Sequence, residues 1–286
     1  MYMPDFQTLV PESLEKALDF LDRHASEGIM PLAGGTDLVV RMKEGTIKPR
    51  ILLLLEKVSE LKGIKEHDGT IMLGARTTHE EIIRSGLLGK KAPVLVAACR
   101  KIGSPQVRCR ATLGGNIANA SPCADSVPAL VVLEARALIV SKEGERLIPL
   151  EDCFKGPKEN TLNPGELIAR VEFPVPAQPE NSFYLEKGQR ASLAVTKLSV
   201  AGQLELAGDG TVEKVRIAYG AVAPTVLRGG KVEAFLKGKK LEDRIRKEAA
   251  SLAAKEVRPI TDIRSTQDYR RDVTAVLLKR GLEQIS

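Results

Sequence analysis

The stretch from Gly103 to Val127 constrains this chain more than any other: it is rich in Gly, Ser, Asn and Pro, lacks hydrophobic periodicity, and lies between strongly patterned segments. Compact domains seldom carry so long an aperiodic segment without using it for binding. The pattern predicts one long loop here. A helix should follow through Glu134, with Ser126 as its cap and Pro128 in its first turn.

Regular elements are predicted on either side. Leu14, Ala17, Leu18 and Leu21 have the spacing of an amphipathic helix over Ser13 to Ala25, and Ile29 to Ala33 reads as a strand. Gly34-Gly35-Thr36-Asp37 follows, then a short apolar segment, Leu38 to Met42, and a buried strand, Ile51 to Leu55. Two strands flank Asp68-Gly69, Thr78 and Glu81 are spaced as a capping box, and Pro93 to Lys101 should be helical. Strands at Ala137 to Ser141, Arg146 to Leu150 and Leu167 to Val175 surround a loop at Lys155 to Gly165. The proline run Pro174 to Pro179 opposes both helix and ladder and marks a domain boundary. Beyond it, Ala194 to Leu206 and Val212 to Ala221 form a hairpin around Asp209-Gly210, with helical patterns near 224–237, 241–256 and 267–284. The fold class is α+β, in two domains: 1–176, with parts of about 1–56 and 57–176, and 177–286, a sheet with helices on one face.

Composition removes several functions. At 286 residues and 43% hydrophobic content, the chain can build a core in both domains. Its longest apolar runs fall far short of the roughly 18 residues that span a bilayer, and Met1 to Pro4 does not read as a leader, so a soluble, cytoplasmic protein is expected. Cys99, Cys109, Cys123 and Cys153 form no CxxC pair and have no nearby His, which argues against a metal or cluster site. The net charge is +6, yet six Phe, four Tyr and no Trp supply few stacking platforms, so no nucleic-acid partner is expected. His24 and His67 read as surface residues, and Asp37, Asp125 and His67 are not promoted to catalytic acids.

Two glycine pairs remain, Gly34-Gly35 and Gly114-Gly115-Asn116. Without a Cβ, paired glycines reach positive φ and turn successive N–H groups toward phosphate oxygens, while Thr36, Asp37, Thr112 and Asn116 could complete the cradle. No GxGxxG is present, and no Gly-Lys pair is followed by Ser or Thr, so any dinucleotide sits on an architecture other than Rossmann or Walker.

The words Pro31-Leu-Ala-Gly-Gly-Thr-Asp-Leu38, Gly74-Ala-Arg-Thr-Thr-His79 and Ala111-Thr-Leu-Gly-Gly-Asn-Ile-Ala-Asn-Ala-Ser-Pro-Cys-Ala-Asp-Ser-Val-Pro-Ala-Leu130 resemble the FAD-binding medium subunit of molybdenum hydroxylases, of the xanthine dehydrogenase and carbon monoxide dehydrogenase type. Lys187 to Val195 resembles the entry to that family's C-terminal flavoprotein domain. The resemblance implies an FAD-binding domain of the vanillyl-alcohol-oxidase/PCMH type followed by that domain. It also implies that Leu32, Ala33, Gly34, Gly35, Thr36, Asp37 and Leu38 wrap the FAD pyrophosphate, that Thr112, Gly114, Gly115 and Asn116 form a second phosphate loop, and that Ser121 and Asp125 contact the ribityl or adenosine part. Ile102 would lie beside the flavin, Leu167 or Ile168 on the adenine side, Lys187 near the flavin edge, and Thr78 with His79 at a third turn. A purely local reading makes Thr78 a helix cap and His79 a surface residue. No cysteine-rich insertion is present, which implies FAD alone.

By the same resemblance, the partners are a molybdopterin-containing large subunit and a small [2Fe-2S] subunit, with electrons leaving through FAD to NAD+ or another acceptor. Two other functions fit the glycine loops: a stand-alone FAD-dependent reductase resembling UDP-N-acetylenolpyruvoylglucosamine reductase, and a non-catalytic nucleotide-binding assembly module.

Overall fold

A computed structural model describes residues 3–190 and 193–285. The chain begins with a small parallel sheet, β1 (Gln7–Leu9), β2 (Ile29–Leu32) and β3 (Ile51–Leu54), in the order β1-β3-β2. Parallel neighbours need crossovers, and helices supply them. The first is α1 (Leu14–Arg23), whose N-cap Ser13 accepts the Lys16 N–H at 3.2 Å. The second is α2 (Leu38–Lys43), into which the apolar segment after the glycine pair folds, burying Met42 and leaving Val40 exposed.

The next sheet contains β4 (Ile64–His67) and β5 (Thr70–Gly74), joined at Asp68-Gly69. Six helices follow: α3 (His79–Arg84), α4 (Gly86–Lys91), α5 (Pro93–Lys101), α6 (Pro105–Arg108), α7 (Leu113–Ala118) and α8 (Ser126–Val132). The sheet resumes with β6 (Arg136–Ser141) and β7 (Gly144–Pro149). A small ribbon, β8 (Phe154–Gly156) with β9 (Glu159–Asn160), then precedes β10 (Leu167–Pro174). The order is β4-β5-β10-β6-β7, antiparallel throughout. Both faces of this sheet are covered. Ala137, Ile139, Val171 and Phe173 pack toward the helices, while Leu138, Val140, Leu167 and Ala169 pack toward Ala17 and Leu21 of α1. Double burial explains why 137–140 is an unbroken apolar run rather than an alternating one.

Two expectations are corrected here. Gly103 to Val127 is not one loop, because α6 and α7 interrupt it, capped by Ser104 and Thr112, with Pro105 in the first turn of α6. Helices of four and six residues are too short to show a period. Ser126 does not cap α8: it lies inside the helix, its hydroxyl donates to Asn116 Oδ1 at 2.7 Å, and Asp125 takes the cap position, while Pro128, third in the helix, is in the first turn as expected.

The C-terminal part pairs β11 (Ser182–Lys187), β12 (Leu198–Leu206), β13 (Val212–Gly220) and β14 (Leu227–Arg228) in sequential antiparallel order. Strand structure starts at Leu198 rather than Ala194, and 227–228 joins the sheet instead of starting a helix. One face is covered by α9 (Gly230–Leu236), α10 (Asp243–Glu256) and α11 (Gln267–Leu282). The opposite face contributes Tyr184, Ala201 and Ala218 to the core that contains α5 and α8. At this seam the Asp125 carboxylate accepts the Tyr184 hydroxyl at 2.8 Å and the Thr196 hydroxyl at 2.7 Å. Burial pushes its carboxyl up to about 6 against the lowering effect of those two hydrogen bonds.

Candidate functional site

A cleft of about 710 Å³ opens between the two N-terminal sheets, within the size range of small-molecule and cofactor sites. Its floor is the turn that carries the chain from β2 into α2. Gly35 takes φ +74°, a left-handed conformation that costs glycine little. Gly34 backs onto the other wall, where a Cβ would stand 1.9 Å from the Arg110 carbonyl oxygen. As a result the N–H groups of Gly34, Gly35, Thr36, Asp37 and Leu38 have no protein acceptor among the described residues. Five consecutive unpartnered donors beside a cleft make a site for oxygen-rich anions.

The second glycine pair works differently from the expected nest. Gly114 N–H donates to the Ala75 carbonyl at 2.8 Å and Asn116 N–H to the Thr112 carbonyl at 2.9 Å. Gly115 N–H donates to Thr112 Oγ1 at 3.2 Å, so all three amides are taken within the protein. Neither glycine is at positive φ. Their role is close approach: a Cβ on Gly114 would meet the Ala75 Cβ at 2.5 Å. This wall therefore offers side chains, Thr112 and Asn116, rather than amides.

A third strand of the site comes from the β8–β9 ribbon. Lys158 Nζ lies 3.4 Å from Asp37 Oδ2 and donates to Asn119 Oδ1 at 2.9 Å, and Asn119 Nδ2 donates to Asp37 Oδ2 at 3.0 Å. This triad ties the amide-bearing turn, the end of α7 and the ribbon together, and it neutralises the one carboxylate on the turn. Leu21, Leu55, Leu61, Leu167 and Ile168 supply apolar wall, and Ile102 and Val107 line another part of the cleft.

Of the sequence-derived residues, Leu32 to Leu38, Ile102, Thr112, Gly114, Gly115, Asn116, Leu167 and Ile168 line this single cleft. The others do not. Thr78 caps α3 in a reciprocal capping box with Glu81 and bridges to Thr112 from behind the wall. The surface reading of His79 is corrected. Its ring is fully buried because the first residue of α3 faces the core, with Nδ1 3.5 Å from Cys99 Sγ and Nε2 unpartnered among the described residues. Desolvation, reinforced by the Arg108 charge, lowers its pKa to about 4. Ser121 lines a separate small recess with Pro122, Phe154 and Thr225, Asp125 belongs to the seam, and Lys187 is exposed at the end of β11. Arg41, Arg76, Asn119 and Asn160 line the cleft without having been singled out. Arg76, Asn119 and Asn160 had as sequence signal only membership of the loops and words already noted, and Arg41 had none beyond its place in the segment after the first glycine pair.

Two family descriptions match the chain: an FAD-binding domain in molybdopterin dehydrogenase over residues 4–176, and a CO dehydrogenase flavoprotein C-terminal domain over 183–285. The glyceraldehyde dehydrogenase medium chain of Sulfolobus acidocaldarius is 33% identical, covering 100% of both chains. The carbon monoxide dehydrogenase medium chain of Hydrogenophaga pseudoflava is 31% identical over 99% of this chain and 97% of its own. Among solved structures, quinoline 2-oxidoreductase from Pseudomonas putida 86 superposes with a TM-score of 0.94 at 28% identity, covering 100% of this chain and 98% of that one. The resemblance, the fold class and the cofactor expected from the sequence agree with these matches. The cleft fits FAD independently, through its volume, its unpartnered amides and a wall that admits no Cβ at Gly34 or Gly114. The chain belongs to the FAD-binding medium subunits of the molybdenum hydroxylase family and is an FAD-carrying oxidoreductase component.

Proposed function

We propose that this chain is the electron outlet of a cytoplasmic molybdenum hydroxylase, assembled with a molybdopterin-containing large subunit and a small [2Fe-2S] subunit and delivering electrons to an acceptor such as NAD+. FAD supplies the chemistry the chain lacks, since it can accept electrons singly and release them as a pair. The observation that carries this reading is the run of unpartnered amides from Gly34 to Leu38 on the turn that lines the cleft.

In this reading the 32–38 turn holds the pyrophosphate through N–H groups, and Thr112 and Asn116 orient it from the opposite wall. Ser126 fixes the Asn116 side chain by its 2.7 Å hydrogen bond. Lys158 cancels the Asp37 charge so that a dianionic ligand can approach the turn. Ile102 packs beside the flavin ring, Leu167 and Ile168 pack on the adenine side, and the apolar wall excludes water. Residues 1–176 hold the cofactor, and 177–286 pack against them through the seam at Asp125. No acid or nucleophile of the chain takes part. The full-length match to CO dehydrogenase-type medium chains favours this reading over a stand-alone reductase.

The test is spectroscopic. The protein, purified natively or reconstituted with FAD, should absorb at about 370 and 450 nm, and NADH added anaerobically should bleach the longer band. Absence of flavin bands in both preparations overturns the reading. Bands that NADH leaves unchanged rule out NAD+ as acceptor.

A further inference from the structure

The net charge of the chain divides unevenly. Residues 1–176 hold 23 Lys+Arg against 23 Asp+Glu, whereas residues 177–286 hold 20 against 14. Within that second part, the segments 187–197 and 258–272 together carry 7 Lys+Arg and only 3 Asp. The same two segments carry Leu193, Val195, Ile260, Ile263 and Tyr269, five of the eight large apolar side chains exposed among the described residues.

These segments form one surface. Lys197 Nζ stands 5.4 Å from the centre of the Tyr269 ring. The Arg270 guanidinium donates to the Ile260 carbonyl at 2.8 Å and pairs with Asp262 at 2.7 Å, which holds the 258–265 loop against the start of α11. Arg190 donates to the Leu193 carbonyl at 2.6 Å and fixes the other loop. Val276, exposed and seven residues along α11 from Tyr269, lies on the same helix face and extends the strip. Ile263 is 97% exposed although its loop is tied down by these bonds. Contiguous exposed apolar surface of this kind marks an interaction site.

The strip also leads back to the cleft. Thr196, between Val195 and Lys197, contacts Glu186 at 2.9 Å, Glu186 pairs with Lys101 at 3.7 Å, and the next residue, Ile102, lines the cleft.

We propose that this strip is the docking surface for a protein electron-transfer partner whose contact face is acidic around an apolar centre. The proposal rests on the flavin-subunit reading given above. A basic rim steers and orients an acidic partner, and the apolar centre supplies the contact that holds it. A second copy of this chain is disfavoured, because two positively charged rims would face one another. Nucleic acid is disfavoured because Tyr269 is the one aromatic side chain on the strip.

The experiment uses the FAD-loaded chain and the partner subunits isolated from its own complex. Ile263→Asp changes an exposed side chain and Lys197→Glu a half-buried one, both outside the cleft, so FAD per chain should stay at the wild-type level. Each should weaken association with the partner subunits by about tenfold or more, and added salt should weaken the wild-type complex while affecting Lys197→Glu less. In the wild-type complex, hydrogen exchange should slow at 193–197 and 258–271. Wild-type association by both variants, or protection confined to other surfaces, overturns the proposal. So does transfer of the Ile263 dependence to self-association, to phosphatidylserine vesicles or to single-stranded DNA. A preparation without FAD defeats the flavin reading instead, and is recognised by its spectrum.

Discussion

Replacing Gly34 by Ala tests whether the cleft depends on the closeness of its two walls. The added Cβ would stand 1.9 Å from the Arg110 carbonyl oxygen and 2.7 Å from its carbonyl carbon. Both neighbours are backbone, so no side chain can rotate away, and the walls must part by more than about 1 Å to reach even tight van der Waals contact. Overpacking of this kind costs about 1–3 kcal/mol. If the full upper value falls on the bound state, the dissociation constant for FAD rises by about 100-fold, at ~1.4 kcal/mol per factor of ten. The assay is quenching of flavin fluorescence on titrating FAD into the deflavinated protein, with thermal midpoints measured in parallel. Gly89→Ala is the control: it lies in α4 with no atom within 4 Å of the new methyl group. It should leave FAD affinity unchanged and raise stability by up to about 1 kcal/mol. Gly34→Ala binding FAD within about twofold of wild type would refute the account of the walls.

Lys158→Met leaves the Asp37 carboxylate without its cation and should weaken FAD binding several-fold, more at low salt, with Asp37→Asn in the same chain restoring it. Equal losses in the single and double variants would show that charge at the turn is not the cause. Tyr184→Phe removes a donor from buried Asp125 and should cost about 1–3 kcal/mol in denaturant unfolding, whereas an unchanged midpoint would remove the seam from the stability argument. The two buried titrating groups act in opposite directions. His79, lowered from 6.5 to about 4 by desolvation, makes the unfolded chain bind more protons in that interval, so its contribution is lost as pH falls from about 6.5 to 4. Asp125, raised from 3.8 to about 6 by desolvation, makes the folded chain bind more protons, so stability is lost as pH rises through that range. Asp125→Asn should therefore steepen the fall in thermal midpoint between pH 6.5 and 4, and His79→Gln should flatten it. Parallel curves for wild type and both variants would refute this assignment.

The sequence made α1, α5 and the β4–β5 turn legible because each carries a full local signal: an apolar face, a first-turn proline, an Asp-Gly turn. The short helices α6 and α7 were hidden, since one or two turns show no period and glycine and asparagine mask what there is. The two glycine pairs line one cleft, but their different hydrogen bonding was not legible in the sequence. Which amides stay free is decided by distant acceptors such as the Ala75 carbonyl, and nothing near Gly114 encodes that. Lys158 reaches Asp37 across 121 residues and has no local signature. His79 looked superficial because a helix-start position is usually solvated, yet α3 enters the core at its first residue.

The seam at Asp125 also bears on how such chains can be recombined. Its carboxylate lies within the stretch 4–176 that matches one family description, and both hydroxyls that satisfy it lie within the stretch 183–285 that matches the other. A chimera joining the first 176 residues to a relative's C-terminal half would bury that acid unanswered unless the donor carries hydroxyls at the positions of Tyr184 and Thr196. The two halves are thus a matched pair, to be exchanged together or with the three residues moved as one set.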